Sequence, residues 1–195
     1  MLSHTPDTPR SRAELAASLK YTDTVTVREP ELRGVFDLRA IEALLDEFTF
    51  RHASFNEGDK ISVGDVRRRG VSQNLDTHGR ELVELLRTPE AMQFMEDLLG
   101  ERRYAEDAQI HRMTVGSALP GHRHGDDDVF AIFHFERSYA GGAYFEERNE
   151  VRNYPAIPPY SLFISRGIIF HGVEPVTAGE RQVLVTCWTR SSWKS

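Results

Sequence analysis

The stretch from Gly116 to Trp188 most narrows what this chain can fold into. Short apolar segments are cut there by turn formers: Pro120-Gly121, Gly141-Gly142, Pro158-Pro159, Gly167 and Ala178-Gly179. Segments so short and so punctuated suit the strands of a sandwich or small barrel. The same stretch carries His124-Gly125-Asp126 near its start and His171 near its end. Side chains two apart on a strand point the same way, so His124 and Asp126 can share a face. His171 lies far along the chain and must come from another strand. Two imidazoles and a carboxylate can take one triangular face of an octahedral metal ion, leaving positions open opposite. A metal so held pins the sheet together.

Around this stretch the pattern predicts strands at 109–115, 129–136, 143–147, 150–154, 161–165, 168–171 and 182–189. In 129–136, Val129, Ala131, Phe133 and Phe135 share one face, and Phe130, Ile132, His134 and Glu136 the other. Both faces are partly apolar, so this strand is expected to be central and covered twice. Helices are the natural cover for one side. Asp37 caps a helical pattern of Ile41, Leu44, Leu45 and Phe48. Leu82, Leu85 and Leu86 mark a second helix. Thr88-Pro89 opens a third, with Met92, Met95, Leu98 and Leu99 buried and Gly100 ending it. Alternating Thr and Val over 22–28 predict one more strand. Residues 49–78 are polar and glycine-dotted, read as loop with one short strand near 61–66 and as part of a substrate entrance or lid. Residues 1–20 are rich in Ser, Thr, Pro and charge and are expected to be poorly ordered, with room for a short helix over 13–20. The organisation expected is one domain over 21–195, a helical half (37–100) packed on a strand-rich core (105–190).

Composition sets the class. The chain has 195 residues, enough for one real core, and 24 basic against 30 acidic residues leave a net charge of −6. That balance speaks against a phosphate-backbone partner, so no nucleic acid is expected. The single cysteine, Cys187, excludes an internal disulfide and fits a reducing compartment. No apolar signal region opens the chain and no run is long enough to span a bilayer, so a cytoplasmic protein without a membrane partner is expected.

Residues 105–190 resemble the prolyl-hydroxylase-like group of Fe(II)/2-oxoglutarate-dependent oxygenases. The motifs that carry the likeness are His124-x-Asp126, Gly141-Gly142 with Phe145, Pro158-Pro159 leading into Ser161-Leu162-Phe163, the run His171-Gly-Val-Glu-Pro-Val-Thr-Ala-Gly-Glu-Arg181, and Trp188. The resemblance implies a mainly β fold with flanking helices, a double-stranded β-helix or cupin-like jelly-roll barrel. It implies Fe(II) held by His124, Asp126 and His171, which would be the catalytic residues. Arg181 would grip the far carboxylate of the cosubstrate 2-oxoglutarate, a task suited to a planar and permanently charged guanidinium. His134 stands where many relatives carry a tyrosine that also touches the cosubstrate, and Thr114, with Arg112, is placed as a pocket-lining residue. O2 would take the remaining site, with ascorbate as reductant.

His122 is the rival of His124. His122-Arg123-His124, with Gly116 before it, fits the first part of a cupin signature, but that signature then wants a glutamate where Asp128 and Val129 stand. His122 is therefore read as exposed or supporting, and His111 as structural or exposed. The implied function is hydroxylation of a C–H bond in a small molecule, an amino acid or natural-product intermediate, with release of succinate and CO2. The alternatives are a peptidyl, prolyl-type hydroxylase and a cupin-like metalloprotein that does not use 2-oxoglutarate.

Overall fold

Helices crowd the chain before Gly100 and strands fill it afterwards. The computed structural model describes residues 8–48, 51–53, 61–67, 77–135 and 138–190. In chain order its elements are α1 (Arg12–Thr22), β1 (Thr24–Val27), α2 (Glu29–Leu32), α3 (Leu38–Leu45), β2 (Arg51–Ala53), β3 (Ile61–Arg67), α4 (Thr77–Leu86) and α5 (Pro89–Leu99). There follow β4 (Tyr104–Met113), β5 (Leu119–His122), β6 (Val129–His134), β7 (Ala140–Gly141), β8 (Tyr144–Arg148), β9 (Val151–Asn153), β10 (Ser161–Arg166), β11 (Phe170–Val173), β12 (Val176–Ala178) and β13 (Arg181–Thr189).

The helix ends follow the local signals. The Asp37 carboxylate accepts from the Ala40 N–H at 3.0 Å, and the Thr88 hydroxyl accepts from the Ala91 N–H at 3.2 Å. Pro89 sits in the first turn of α5, and Gly100 closes that helix at φ 72°. The short helix expected over 13–20 is present as α1, and it is better anchored than the segment's composition implies. The segment before Thr22 is not loose throughout: Ser11 and Glu14 form a capping box, and α1 buries Leu15 and Leu19 in the core. Its polar composition hides a two-residue stripe at i, i+4.

The strands form two facing antiparallel sheets. The larger has the order β1-β10-β6-β13-β4-β3-β2, the smaller β5-β11-β8-β9, and β12 pairs β7 apart from both. From β4 onward the chain passes back and forth between the two: β4, β6, β10 and β13 in one, β5, β8, β9 and β11 in the other. That winding is a double-stranded β-helix. Strand β6 is central and buried along its whole length. Its residues Val129, Ala131 and Phe133 join Leu162, Ile164, Leu184 and Trp188 against the helices. The opposite face sends Ile132, Phe163, Val183 and Met113 towards Tyr144 and Val173 of the smaller sheet. Alternation along each strand thus gives one sheet two cores.

β5 is a strand where the sequence reads as a turn. Pro120 is tolerated because β5 lies at a sheet edge. Gly121 allows a close approach: a Cβ there would lie 2.2 Å from the Phe170 ring as it stands. The short strand expected near 61–66 is present as β3, paired with β4. Most of the rest of 49–78, the expected entrance, lies outside the described residues. No helix among the described residues is long and apolar enough to cross a membrane.

Candidate metal centre

His122 ends β5 and lies directly opposite His171 of β11. Residues opposite each other in an antiparallel pair share a face, so both imidazoles point the same way. His124 follows two residues later, beyond the strand. Its N–H donates to the Gly167 carbonyl at 3.0 Å, the Gly167 N–H donates to Asp128 O at 2.8 Å, and the Asp128 N–H donates to Gly125 O at 3.0 Å. A Cβ at Gly167 would lie 2.3 Å from Gly125 O, so only glycine lets the two loops meet. The clasp turns His124 back towards the strand pair. One ligand atom from each of His122, His124 and His171 lies within 4.8 Å of the others.

Backbone carbonyls set the tautomers. His122 Nδ1 is 2.9 Å from Pro120 O, and His171 Nδ1 is 2.8 Å from Ile169 O. A carbonyl only accepts, so each Nδ1 carries the hydrogen and each Nε2 is left with its lone pair. His122 Nε2 and His124 Nε2 are 3.1 Å apart. Burial, helped by His122, His171 and His111 nearby, holds the His124 pKa down at about 3. Burial also holds His171 down at about 4, against the pull of the Ile169 carbonyl. Both rings are neutral at neutral pH, the form that binds metals.

The three rings line a cavity of about 120 Å³ together with Arg181, Tyr144 and His111. Ile132, Val173, Val183 and Val185 give it apolar walls. Arg181 opens β13 and is 2% exposed. The Gly-Gly turn before β8 makes room for it: a Cβ on Gly142 would lie 3.0 Å from the Arg181 Cδ. Tyr144 stacks on His171 with centroids 5.5 Å apart. Burial, with Glu146 nearby, pushes its phenol far above the usual range, so it stays a neutral hydroxyl. Glu146, opposite His171 on β8, is itself buried, and its pKa is raised by that burial against the pull of Arg148 and Thr24.

Of the expected site residues, the structure gathers His124, His171 and Arg181 around one cavity. It does not gather Asp126, which is exposed in the turn after His124. Among the described residues, His122 completes the group instead. The reason is where β5 ends: the same-face pair is 122 and 124, and 126 falls in the following turn. Thr114 is exposed beyond β4, its N–H donating to the Ser117 hydroxyl at 3.1 Å, and does not line the cavity. Arg112 points to the other side of β4, where it pairs with Asp46 at 3.0 Å and Glu180 at 3.1 Å. His134 is buried but lines a neighbouring cavity of about 200 Å³ with Tyr139 and Tyr154, and Tyr144 lines both cavities. The residues missed from sequence are His122, His111 and Tyr144. The usable signal for His122 is its place two residues before His124.

No family model and no curated protein matches this sequence. Solved structures do. An oxidoreductase of the 2OG-Fe(II) oxygenase family from Burkholderia pseudomallei superposes with a TM-score of 0.82 at 21% identity, covering 96% of this chain and 95% of that one. A Pseudomonas putida prolyl-4-hydroxylase gives 0.65 at 12% identity over 93% of this chain and 100% of its own. HygX from Streptomyces hygroscopicus, solved with nickel and 2-oxoglutarate bound, gives 0.67 at 10% identity over 91% and 87%. At these identities the likeness is one of fold, the double-stranded β-helix already drawn from the strand order.

Proposed function

We propose that this protein is a non-haem iron oxygenase that uses 2-oxoglutarate and O2 to hydroxylate a small molecule. The observation that carries the reading is the meeting of three imidazoles and the Arg181 guanidinium in one apolar cavity inside the barrel. The donor set fits a divalent cation, because the tautomers of His122 and His171 are fixed with Nε2 available. When bound, iron would supply the oxidising chemistry. Arg181 would hold a carboxylate at the far end of the cavity, where a fixed positive charge offsets the desolvation of an acid. Tyr144 would offer a neutral hydroxyl beside the same anion. The valine and isoleucine walls exclude water and strengthen that ionic contact.

The fold neighbours include HygX with hygromycin B bound and a prolyl-4-hydroxylase, and the first supports the small-molecule reading. A second reading, a metalloprotein that does not use 2-oxoglutarate, is favoured by the absence of a carboxylate from the histidine group among the described residues. Arg181 argues against it, since it sets a fixed positive charge in the same cavity as the imidazoles, suited to a carboxylate. Anaerobic loading with Fe(II), then O2, ascorbate and 2-oxoglutarate with a metabolite pool, should release succinate. Absence of succinate in every pool, from a protein shown to carry iron, leaves the second reading standing.

A further inference from the structure

We propose that the metal is held by three neutral imidazoles, His122, His124 and His171, and that Asp126 is not a ligand. This deepens the reading above and rests on it. The His-x-Asp pattern suggests that the pair sits at 124 and 126, but the structure places the pair two residues earlier. His122 is the residue that faces His171 across β5 and β11. His124 is held back towards them by the Gly167 clasp. His122 Nε2 lies 3.1 Å from His124 Nε2, and with the first ring's hydrogen committed at Nδ1 to Pro120 O, a proton or a cation between the two nitrogens is what makes the approach favourable. Asp126 stands exposed in the turn, outside the group. The carboxylate of the expected set is thus replaced by His124, with His122 as the partner of His171.

The replacement changes the site's charge. A two-imidazole, one-carboxylate face leaves a divalent ion with one net positive charge. Three neutral imidazoles leave both. A doubly charged acid then adds to an undiminished dication, and Arg181 adds a further positive charge along the same cavity. Nitrogen-only donors also turn preference towards the later first-row ions, nickel and copper above manganese.

Cu(II) is the probe, read by electron paramagnetic resonance and by titration, with no turnover required. The unaltered full chain should bind one Cu(II), with hyperfine structure from three imidazole nitrogens. His122→Ala should remove one nitrogen and weaken binding on the order of a hundredfold. Asp126→Ala should leave both spectrum and affinity unchanged. His124→Asp should keep the ion with two nitrogens, because a carboxylate fits the position that His124 fills. Circular dichroism checks that each variant is folded, and His122→Asn is the substitute should the alanine variant fail. A spectrum with two nitrogens that is altered by Asp126→Ala and not by His122→Ala overturns this assignment and leaves the metal reading intact. No tight Cu(II) site in the unaltered protein overturns both.

Discussion

The two faces of the larger sheet are built from different materials. Outward, Val129, Ala131, Phe133, Leu162, Ile164, Leu184 and Trp188 meet apolar helix residues such as Leu15, Leu19, Ile41, Leu45 and Phe94. A polar group there, Thr186, is fully satisfied: it donates to Ala131 O and accepts from the Trp188 indole, both at 2.9 Å. Inward, the same strands present His134, Ser161, Ser165 and Arg181, all buried. Burying polar and charged groups costs free energy that apolar contact does not. Strand alternation therefore lets one sheet assign stability to one side and chemistry to the other. The outer face should govern whether the protein folds, and the inner face what it binds.

The largest expected effect tests the outer side. Trp188→Ala should cost about 3–5 kcal/mol, the range for deleting a large buried aromatic, read as a lower midpoint in urea denaturation. The inner counterpart is Arg181→Ala. Its cost in stability should be smaller, because removing the buried guanidinium also removes its desolvation penalty. Its cost in binding should be large: 2-oxoglutarate affinity for the anaerobic metal-loaded protein should fall on the order of a hundredfold, about 3 kcal/mol. Arg181→Lys should be milder, keeping charge and losing only the two-point grip. Calorimetry decides it. Equal losses of stability from Trp188→Ala and Arg181→Ala would remove the distinction between the faces.

How much of this is legible beforehand differs along the site. Residues 171 and 181 are readable because their run carries its own turn, and both ends reach one cavity. The faces of β6 are readable because period-two alternation with apolar residues on both sides demands two covers. The frame at 122, 124 and 126 is not. All three positions carry ligand residue types at the same parity, so alternation cannot choose between the pairs. What chooses is the end of β5, and that is set by distant contacts: Gly121 against the Phe170 ring and Gly167 against Gly125 O. Such contacts leave no local pattern. The short helix over 13–20 is readable as a possibility, but its burial is not, since two leucines in a polar segment become a stripe only once α5 and the sheet are there to cover them.

The next effect is one of pH. The folded protein holds His171 at about 4 and His124 at about 3, against 6.5 ordinarily. Between about 6.5 and 4 the unfolded chain binds protons that the folded chain refuses, so stability rises with pH across that window. The metal-free protein should lose about 2 kcal/mol from His171 alone on going from pH 7 to pH 5. Glu31, on the helical side, titrates elsewhere. Burial raises its pKa, but hydrogen bonds from Arg10 and Arg28 outweigh this and hold it at about 2, below the ordinary 4.5. Its contribution is present above 4.5 and is lost as pH falls towards 2. Urea midpoints at pH 7, 5 and 3 follow both sides, and His171→Gln should shrink the first step without abolishing it, because His124 loses stability in the same window. A midpoint that is level from pH 7 to pH 5 in the unaltered metal-free protein would contradict the buried, neutral state of these rings.

The smallest effect concerns Arg112, one position before Met113 on β4. Met113 faces inward, so Arg112 must face outward, where it bonds Gln182, Asp46 and Glu180. The Asp46 side chain is 81% exposed, and pairs in such a setting contribute only about 0–1 kcal/mol. Arg112→Ala should therefore shift the denaturation midpoint slightly, and less still at high salt, where exposed pairs are screened. It should leave 2-oxoglutarate affinity within about twofold of the unaltered protein, since Arg112 does not line the cavity and a screened charge across the sheet has little hold on an acid inside. Two arginines two strand faces apart thus make opposite predictions under one titration. A loss in Arg112→Ala matching that of Arg181→Ala would mean that the acid binds on the outer side of β4, and the division between the faces would have to be redrawn there.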